Sequence, residues 1–196
     1  MSIQTPLVDS SHVGWNSNFL FLPGEYEGKT KYKGWPAVQA WTSTGWQSNY
    51  WEYDVAALVI APSKKGPIGY VLGFLGILFN VPYLQNWTQV GYPAQQQSGG
   101  PPGYLFDGEH QEICNSTFGY YDMGGHGPAT MGVGCDQTPG CSGGPWIVDY
   151  NGLPGPDNYV NGNFSYKYIG NSISSYSPYF GSGAYNVWDA AQNTIP

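Results

Sequence analysis

Gly140-Cys141-Ser142-Gly143-Gly144-Pro145-Trp146 follows directly on Asp136-Gln137-Thr138-Pro139, and the reading of the whole chain of 196 residues turns on it. One serine stands between glycines, followed by Gly-Pro and an apolar run. A serine hydroxyl is a weak nucleophile and must stand exposed beside a base to react. An oxygen that becomes negative in such a reaction needs backbone amide hydrogens aimed at it. Glycine at 140 lets the backbone approach a carbonyl closely, with no side chain in the way. The alternative is a plain Gly/Pro-rich turn between two strands. The specificity of Ser-Gly-Gly-Pro and the agreement of the rest of the chain weigh against that alternative.

Composition narrows the class. Charged residues make up only 10% of the chain, against 29 Gly, 16 Pro, 17 Tyr and 8 Trp. That mixture suits short strands, many turns and a secreted all-β protein. The length fits one domain or two small lobes. The six basic residues are all lysine, and the net charge of −7 argues against nucleic acid or an anionic membrane as partner. The longest apolar run, residues 70–79, is too short to span a bilayer and contains Gly73 and Gly76. We expect neither cofactor nor metal. The first residues, Met-Ser-Ile-Gln-Thr-Pro, lack the basic and apolar regions of a signal peptide. Sequons at Asn86, Asn115 and Asn163 matter only in a eukaryotic secretory pathway.

In chain order, residues 18–24 read as a strand ended by Pro-Gly, 25–33 as a charged loop, and 35–41 as a short strand. Residues 51–61 place one acid, Asp54, at the head of an apolar strand expected to be buried. Residues 84–94 form a strand closed by Gly-Tyr-Pro, and 95–103 a polar, Gly/Pro-rich loop. Glu112-Ile113-Cys114 begins another strand, 129–135 leads into the serine loop, and 145–150 is the strand after it. Residues 166–176, with their alternating tyrosines, read as one long strand. Residues 184–193 are the only good helix candidate.

Three landmarks now stand in order: Tyr53-Asp54-Val55-Ala56-Ala57-Leu58-Val59-Ile60, Val90-Gly91-Tyr92-Pro93-Ala94, and 135–146. Together they resemble the trypsin-like serine proteases, closest to the secreted microbial branch that includes glutamyl endopeptidases. The resemblance runs from about Leu7 to the C-terminal helix. It implies two antiparallel β-barrel lobes of the chymotrypsin type, residues 1–81 and 82–196, the first incomplete. It implies that Ser142 is the nucleophile of a peptide-cleaving reaction, with the amides of Gly140 and Ser142 as the oxyanion hole. Asp54 then matches the acid that orients the histidine and stabilises its charged form. The family pattern also implies a disulfide between Cys114 and Cys135, which leaves Cys141 as the third, free cysteine. Cysteine at 141 replaces the acid that binds a new N-terminus in members activated by cleavage, so that route of activation is not expected.

The histidine of the pattern is the departure. The family carries it before the acid, in a Thr-Ala-Ala-His-Cys-like segment, and this chain has only His12, His110 and His126. His12 precedes Asp54, but Leu7-Val8-Asp9 fits the stretch that follows the catalytic histidine, which places that histidine near Pro6 and His12 in the loop beyond it. His110 and His126 fall in polar or glycine-rich loops. The expectation is an N-terminally truncated, impaired peptidase, with His12 the only candidate base in the chain.

Asp136, six places before Ser142, matches an acid that selects Lys or Arg in trypsin-like members, and Ser174-Ser175-Tyr176 matches the strand that pairs with substrate backbone. The partner implied is a polypeptide substrate, and the protein is expected to be a secreted monomer. Two other classes remain open: a catalytically inactive homologue acting as a binding or scaffold protein, and a carbohydrate-binding β-sandwich, which rests only on the Trp and Tyr content.

Overall fold

The computed structural model describes residues 16–95, 106–152, 157–170 and 173–194. Strands dominate it. The first half holds β1 (Leu20–Phe21), β2 (Glu25–Tyr26), β3 (Lys29–Thr30), β4 (Trp35–Thr42), the short helix α1 (Thr44–Gln47), a 3-10 turn at Trp51–Tyr53, β5 (Ala56–Ile60), α2 (Ile68–Leu72) and β6 (Gly76–Ile77). The second half holds β7 (Asn86–Gly91), β8 (Glu112–Tyr121), β9 (Met131–Gly134), β10 (Pro145–Val148), β11 (Tyr159–Asn163), β12 (Ser174–Ser177) and the helix α3 (Ser182–Gln192).

The larger sheet runs β12-β9-β8-β7-β10-β11-β6. Its first six strands pair antiparallel, whereas β6 adds to β11 in parallel, Tyr159 opposite Gly76. The two ends of the antiparallel set come together beyond β11. Ser165 N donates to Tyr176 O at 2.8 Å and Tyr176 N to Tyr166 O at 3.1 Å, so the sheet curls back on β12. A sheet that curls onto its own end removes an exposed edge. Alternate residues of β7, β9 and β10 point inward to make the core: Trp87, Met131, Val133, Trp146 and Val148, with Cys135 just beyond β9. A buried aromatic of this size removes about 150–250 Å² from water, an upper estimate of about 4–6 kcal/mol for each tryptophan.

The first sheet, β1-β4-β5, is thinner. Within it only Trp35 is buried, and Leu20 and Val38 stand more than half exposed. Helix α3 crosses back from the end of the chain to pack on β4 and β5, and Trp41 Nε1 donates to Thr194 Oγ1 at 3.1 Å just past its end.

Two expectations are corrected here. The strand headed by Asp54 is half-buried, not buried, because it belongs to a three-stranded sheet. Residues 166–176 are not one strand: the chain turns at Ile169–Gly170, with Gly170 at φ 83°, and returns as β12 alongside Tyr166. Alternating tyrosines mimic a strand, but glycine in the left-handed region makes the turn. The expected helix is present as α3, with short helical turns elsewhere that carry too few residues to show a period.

Candidate active site

The serine loop is built by glycine. Gly140 sits at φ 111° and Gly143 at φ 75°, the left-handed side of the map. A Cβ on Gly140 would lie 2.5 Å from Tyr92 O and 2.7 Å from Ala94 N, so the backbone of β7's extension occupies the place of a side chain. Ala94 N donates to Pro139 O at 2.8 Å, and Gly144 N donates to Cys141 O at 2.7 Å, closing a tight turn around Ser142. Ser142 is exposed between buried Cys141 and buried Gly144. Among the described residues, the amides of Gly140 and Ser142 donate to no acceptor.

Asp54 reaches the same neighbourhood from the first sheet. Its Oδ2 accepts a 2.5 Å hydrogen bond from the Ser165 hydroxyl, and its backbone carbonyl accepts from Asn163 Nδ2 at 3.3 Å. Between those two residues, Phe164 exchanges backbone hydrogen bonds with the serine loop: Gly143 N to Phe164 O at 2.8 Å and Phe164 N to Gly144 O at 2.9 Å. Residues 163–165 therefore join the Asp54 carboxylate to the turn that presents Ser142. Sequence reading missed Ser165 and Asn163. Their sequence signal is the sequon Asn163-Phe164-Ser165 at the end of β11, which marks no particular partner.

The residue before Asp54 helps to hold it. The Tyr53 ring fills a space where glycines meet: a Cβ on Gly45, Gly127 or Gly183 would lie 2.4, 2.7 or 3.0 Å from it. The Tyr53 hydroxyl donates to His126 O at 2.9 Å, so one aromatic ring ties α1, the loop before β9 and α3 together beside the acid.

The described histidines are engaged elsewhere. His110 Nδ1 lies 2.7 Å from Asp107 Oδ2, its Nε2 lies 3.8 Å from Glu27 Oε1, and Tyr26 meets its ring edge-on. The backbone amides and the imidazole that face Asp107 hold its carboxyl below the usual carboxylate range. His126 stacks on Tyr50 at 3.7 Å, and its backbone amide donates to Glu52 Oε1. His12 lies outside the described residues. Among the described residues, no histidine hydrogen-bonds the Ser142 hydroxyl.

The proposed specificity residues divide. Ser174, Ser175 and Tyr176 are buried, and the backbone of Tyr176 is paired on both sides, with Gly132 of β9 and with Ser165 and Tyr166. At Tyr176, among the described residues, the strand has no free edge for another chain. Residues 165–166 lie on the other side of Tyr176, followed by Lys167. Asp136 is exposed. Its neighbour is a cation the sequence reading did not single out: Lys167 Nζ donates to Gln137 O at 2.8 Å and to Cys135 O at 3.1 Å. Burial lowers the pKa of Lys167, and the negative charge of Asp136 pulls it back up.

Cys114 and Cys135 are disulfide-bonded with Cα atoms 6.0 Å apart, and Cys141 is a free, buried thiol. Cys114, Cys135 and Asp136 gather ligand-type atoms in one place, but the disulfide engages both sulfurs. The Cys141 sulfur lies where a Cβ on Gly91 would be, at 2.6 Å, and burial pushes its pKa up to about 12 from 9.0. A neutral, enclosed thiol is a poor nucleophile. Cys141 is therefore expected to resist an aromatic disulfide reagent in the folded protein at neutral pH and to react at once in denaturant; equal rates would show that the thiol is accessible. Because the folded pKa is raised, the stabilisation from the neutral thiol is complete below pH 9 and is lost as pH rises toward 12.

A larger sheet that carries a glycine-built serine turn between β9 and β10, and a smaller sheet whose β5 follows the acid, make the fold of the chymotrypsin-type serine proteases. No family model and no curated protein sequence matches the chain. Among solved structures it is similar to the protease Anisep from Arthrobacter nicotinovorans, at 29% identity and a TM-score of 0.75 over 92% of this chain and 77% of that one. It is also similar to the thermostable serine protease AL20 from an extremophilic microorganism, at 28% identity and a TM-score of 0.78, covering 99% of this chain and 84% of that one. A Glu endopeptidase shares the fold at 13% identity and a TM-score of 0.72, covering 96% of this chain and 78% of that one. No helix among the described residues is long and apolar enough to cross a membrane.

Proposed function

We propose that the chain is a serine endopeptidase by descent, acting on polypeptides with Ser142 as nucleophile, Asp54 as orienting acid and the amides of Gly140 and Ser142 as oxyanion donors. The observation that carries this reading is residues 163–165, which hydrogen-bond the Asp54 carboxylate and the Ser142 turn at once. In the reaction Ser142 Oγ attacks a peptide carbonyl, its proton passes to a base, and the carbonyl oxygen takes the negative charge between the two amides. The leaving amine takes the proton back, and water releases the acyl group from Ser142.

The base is the one part of the triad that the described residues do not supply. His110 and His126 are engaged by Asp107, Glu27 and Tyr50, which favours the reading that this chain does not itself place a histidine on Ser142. On that reading turnover is low, and the retained fold can serve as a binding protein for peptides. The segment at residues 165–167, next to the serine turn through Phe164, is the one we assign to substrate contact. The disulfide and the microbial neighbours support a secreted protein.

Prolonged exposure to a high concentration of a fluorophosphonate, followed by peptide mapping, tests the assignment of the nucleophile. The slow label is expected on Ser142 and nowhere else, and Ser142→Ala is expected to abolish it. A label on a different serine, unaffected by Ser142→Ala, sinks the peptidase reading.

A further inference from the structure

We propose that Lys167 is the specificity-determining residue of this site, a plug that closes the side-chain slot to bulky and basic residues and leaves room for short neutral ones such as alanine. The inference rests on the peptidase reading above. Phe164 ties the segment that leads to 165–167 to the serine turn, and on the peptidase reading we take the side chain flanking the cleaved bond to lie between the loop that leads into Ser142, residues 135–140, and that segment. Lys167 spans these two walls. Its backbone belongs to the second, and its ammonium is fastened to the carbonyls of Cys135 and Gln137 on the first.

Three consequences follow from those contacts. A long or aromatic side chain needs the volume that the four-carbon stem of Lys167 occupies, so it must break two charge-assisted hydrogen bonds to enter. A basic side chain meets a half-buried ammonium before it meets a carboxylate. Asp136, the acid that the trypsin-like pattern reserves for a substrate lysine, already acts on Lys167 electrostatically, so a substrate cation competes with an internal one. A methyl group disturbs none of this. The floor is rigid as well: Gln137 is 1% exposed and its amide donates to Glu112 O at 2.9 Å, so the carbonyls that hold the ammonium cannot retreat easily.

The test is binding, because it does not depend on a catalytic base. N-acetyl tripeptide acids of the form Ala-Ala-X, with X as Ala, Phe, Lys or Glu, are titrated into the protein by calorimetry and by NMR. The alanine peptide is expected to bind more tightly than the phenylalanine and lysine peptides by about tenfold or more. Lys167→Ala is expected to raise the affinity for the phenylalanine peptide by about tenfold while changing the alanine peptide little. Lys167→Met, which keeps the bulk of the stem but cannot bond the two carbonyls, is expected to relieve the exclusion of lysine and to relieve that of phenylalanine only in part. It also serves if the alanine variant does not fold.

Equal binding of all four peptides to the unaltered protein overturns the plug. So does a clear preference for the glutamate peptide, which would make the ammonium a docking group for a carboxylate. A ranking unchanged in both variants overturns the role of Lys167 and leaves the peptidase reading standing. Binding by no peptide, in any form, with the fluorophosphonate label also absent from Ser142, overturns the peptidase reading itself.

Discussion

If, as proposed, this chain places no histidine on Ser142, fluorophosphonate labelling of Ser142 is expected to accelerate by roughly 10⁴–10⁶-fold when a histidine-bearing segment is supplied. The unaided hydroxyl keeps its proton at neutral pH, and the oxyanion amides and peptide binding together yield only a small residual rate. An imidazole beside Ser142 Oγ removes that proton in the transition state, and Asp54 holds the imidazole in the needed tautomer. The Ser165 hydroxyl anchors Asp54 at 2.5 Å, which fixes the carboxylate that orients the imidazole on this reading. Asp54→Asn in the supplemented protein is expected to remove most of the gain, again by roughly 10⁴-fold, with little loss of peptide affinity. The decisive contrary result is rapid labelling of the chain as it stands, abolished by His12→Ala. That outcome makes His12 the base and the triad His12, Asp54 and Ser142 complete.

Gly140→Ala is expected to destabilise the protein by about 4 kcal/mol, the sum of an unfavourable backbone conformation and a collision. The φ of 111° costs an L-residue on its own, and the added methyl lands 2.5 Å from Tyr92 O and 2.7 Å from Ala94 N. Neither partner can yield, since Ala94 N is held by Pro139 O at 2.8 Å and Tyr92 extends β7. Gly28→Ala is the control. Gly28 also has positive φ, 69°, but nothing lies within 4 Å of its absent Cβ, so only the conformational cost of about 1–2 kcal/mol applies. Urea unfolding of both variants, with equal slopes, separates the two contributions. If Gly140→Ala falls no further than Gly28→Ala, the close approach of β7's extension to the serine turn is wrong. A loss of 4 kcal/mol is a large share of the 5–15 kcal/mol typical of a folded domain, so this glycine serves stability as well as geometry.

What could be read from residue order alone was local. Gly-Cys-Ser-Gly-Gly-Pro marks a tight turn because glycines at 140 and 143 accept positive φ, and that requirement is visible without knowing what lies opposite. The α3 region declared itself by a helical run near the end of the chain, and the Cys114–Cys135 bridge followed from the family pattern. The all-β class showed in turn residues separating short apolar runs. None of these depends on which distant strand becomes a neighbour.

Tertiary structure alone decided the rest, because the contacts cross long stretches of chain. Ser165 meets Asp54 across 111 residues, and no spacing rule singles out a serine after Phe164 as the partner of that carboxylate. Lys167 finds the carbonyls of Cys135 and Gln137 only once β11 and the serine loop lie side by side. The tyrosines at 166 and 176 looked like two positions on one strand, yet they stack face to face at 4.7 Å across a bridge that draws the ends of the sheet together. Period-2 alternation states which face a side chain takes, and it is silent on which strand will stand beside it. The serine turn was therefore legible in the sequence, while the neighbours of Ser142, and the lysine we propose to set what it accepts, were decided by strand pairing.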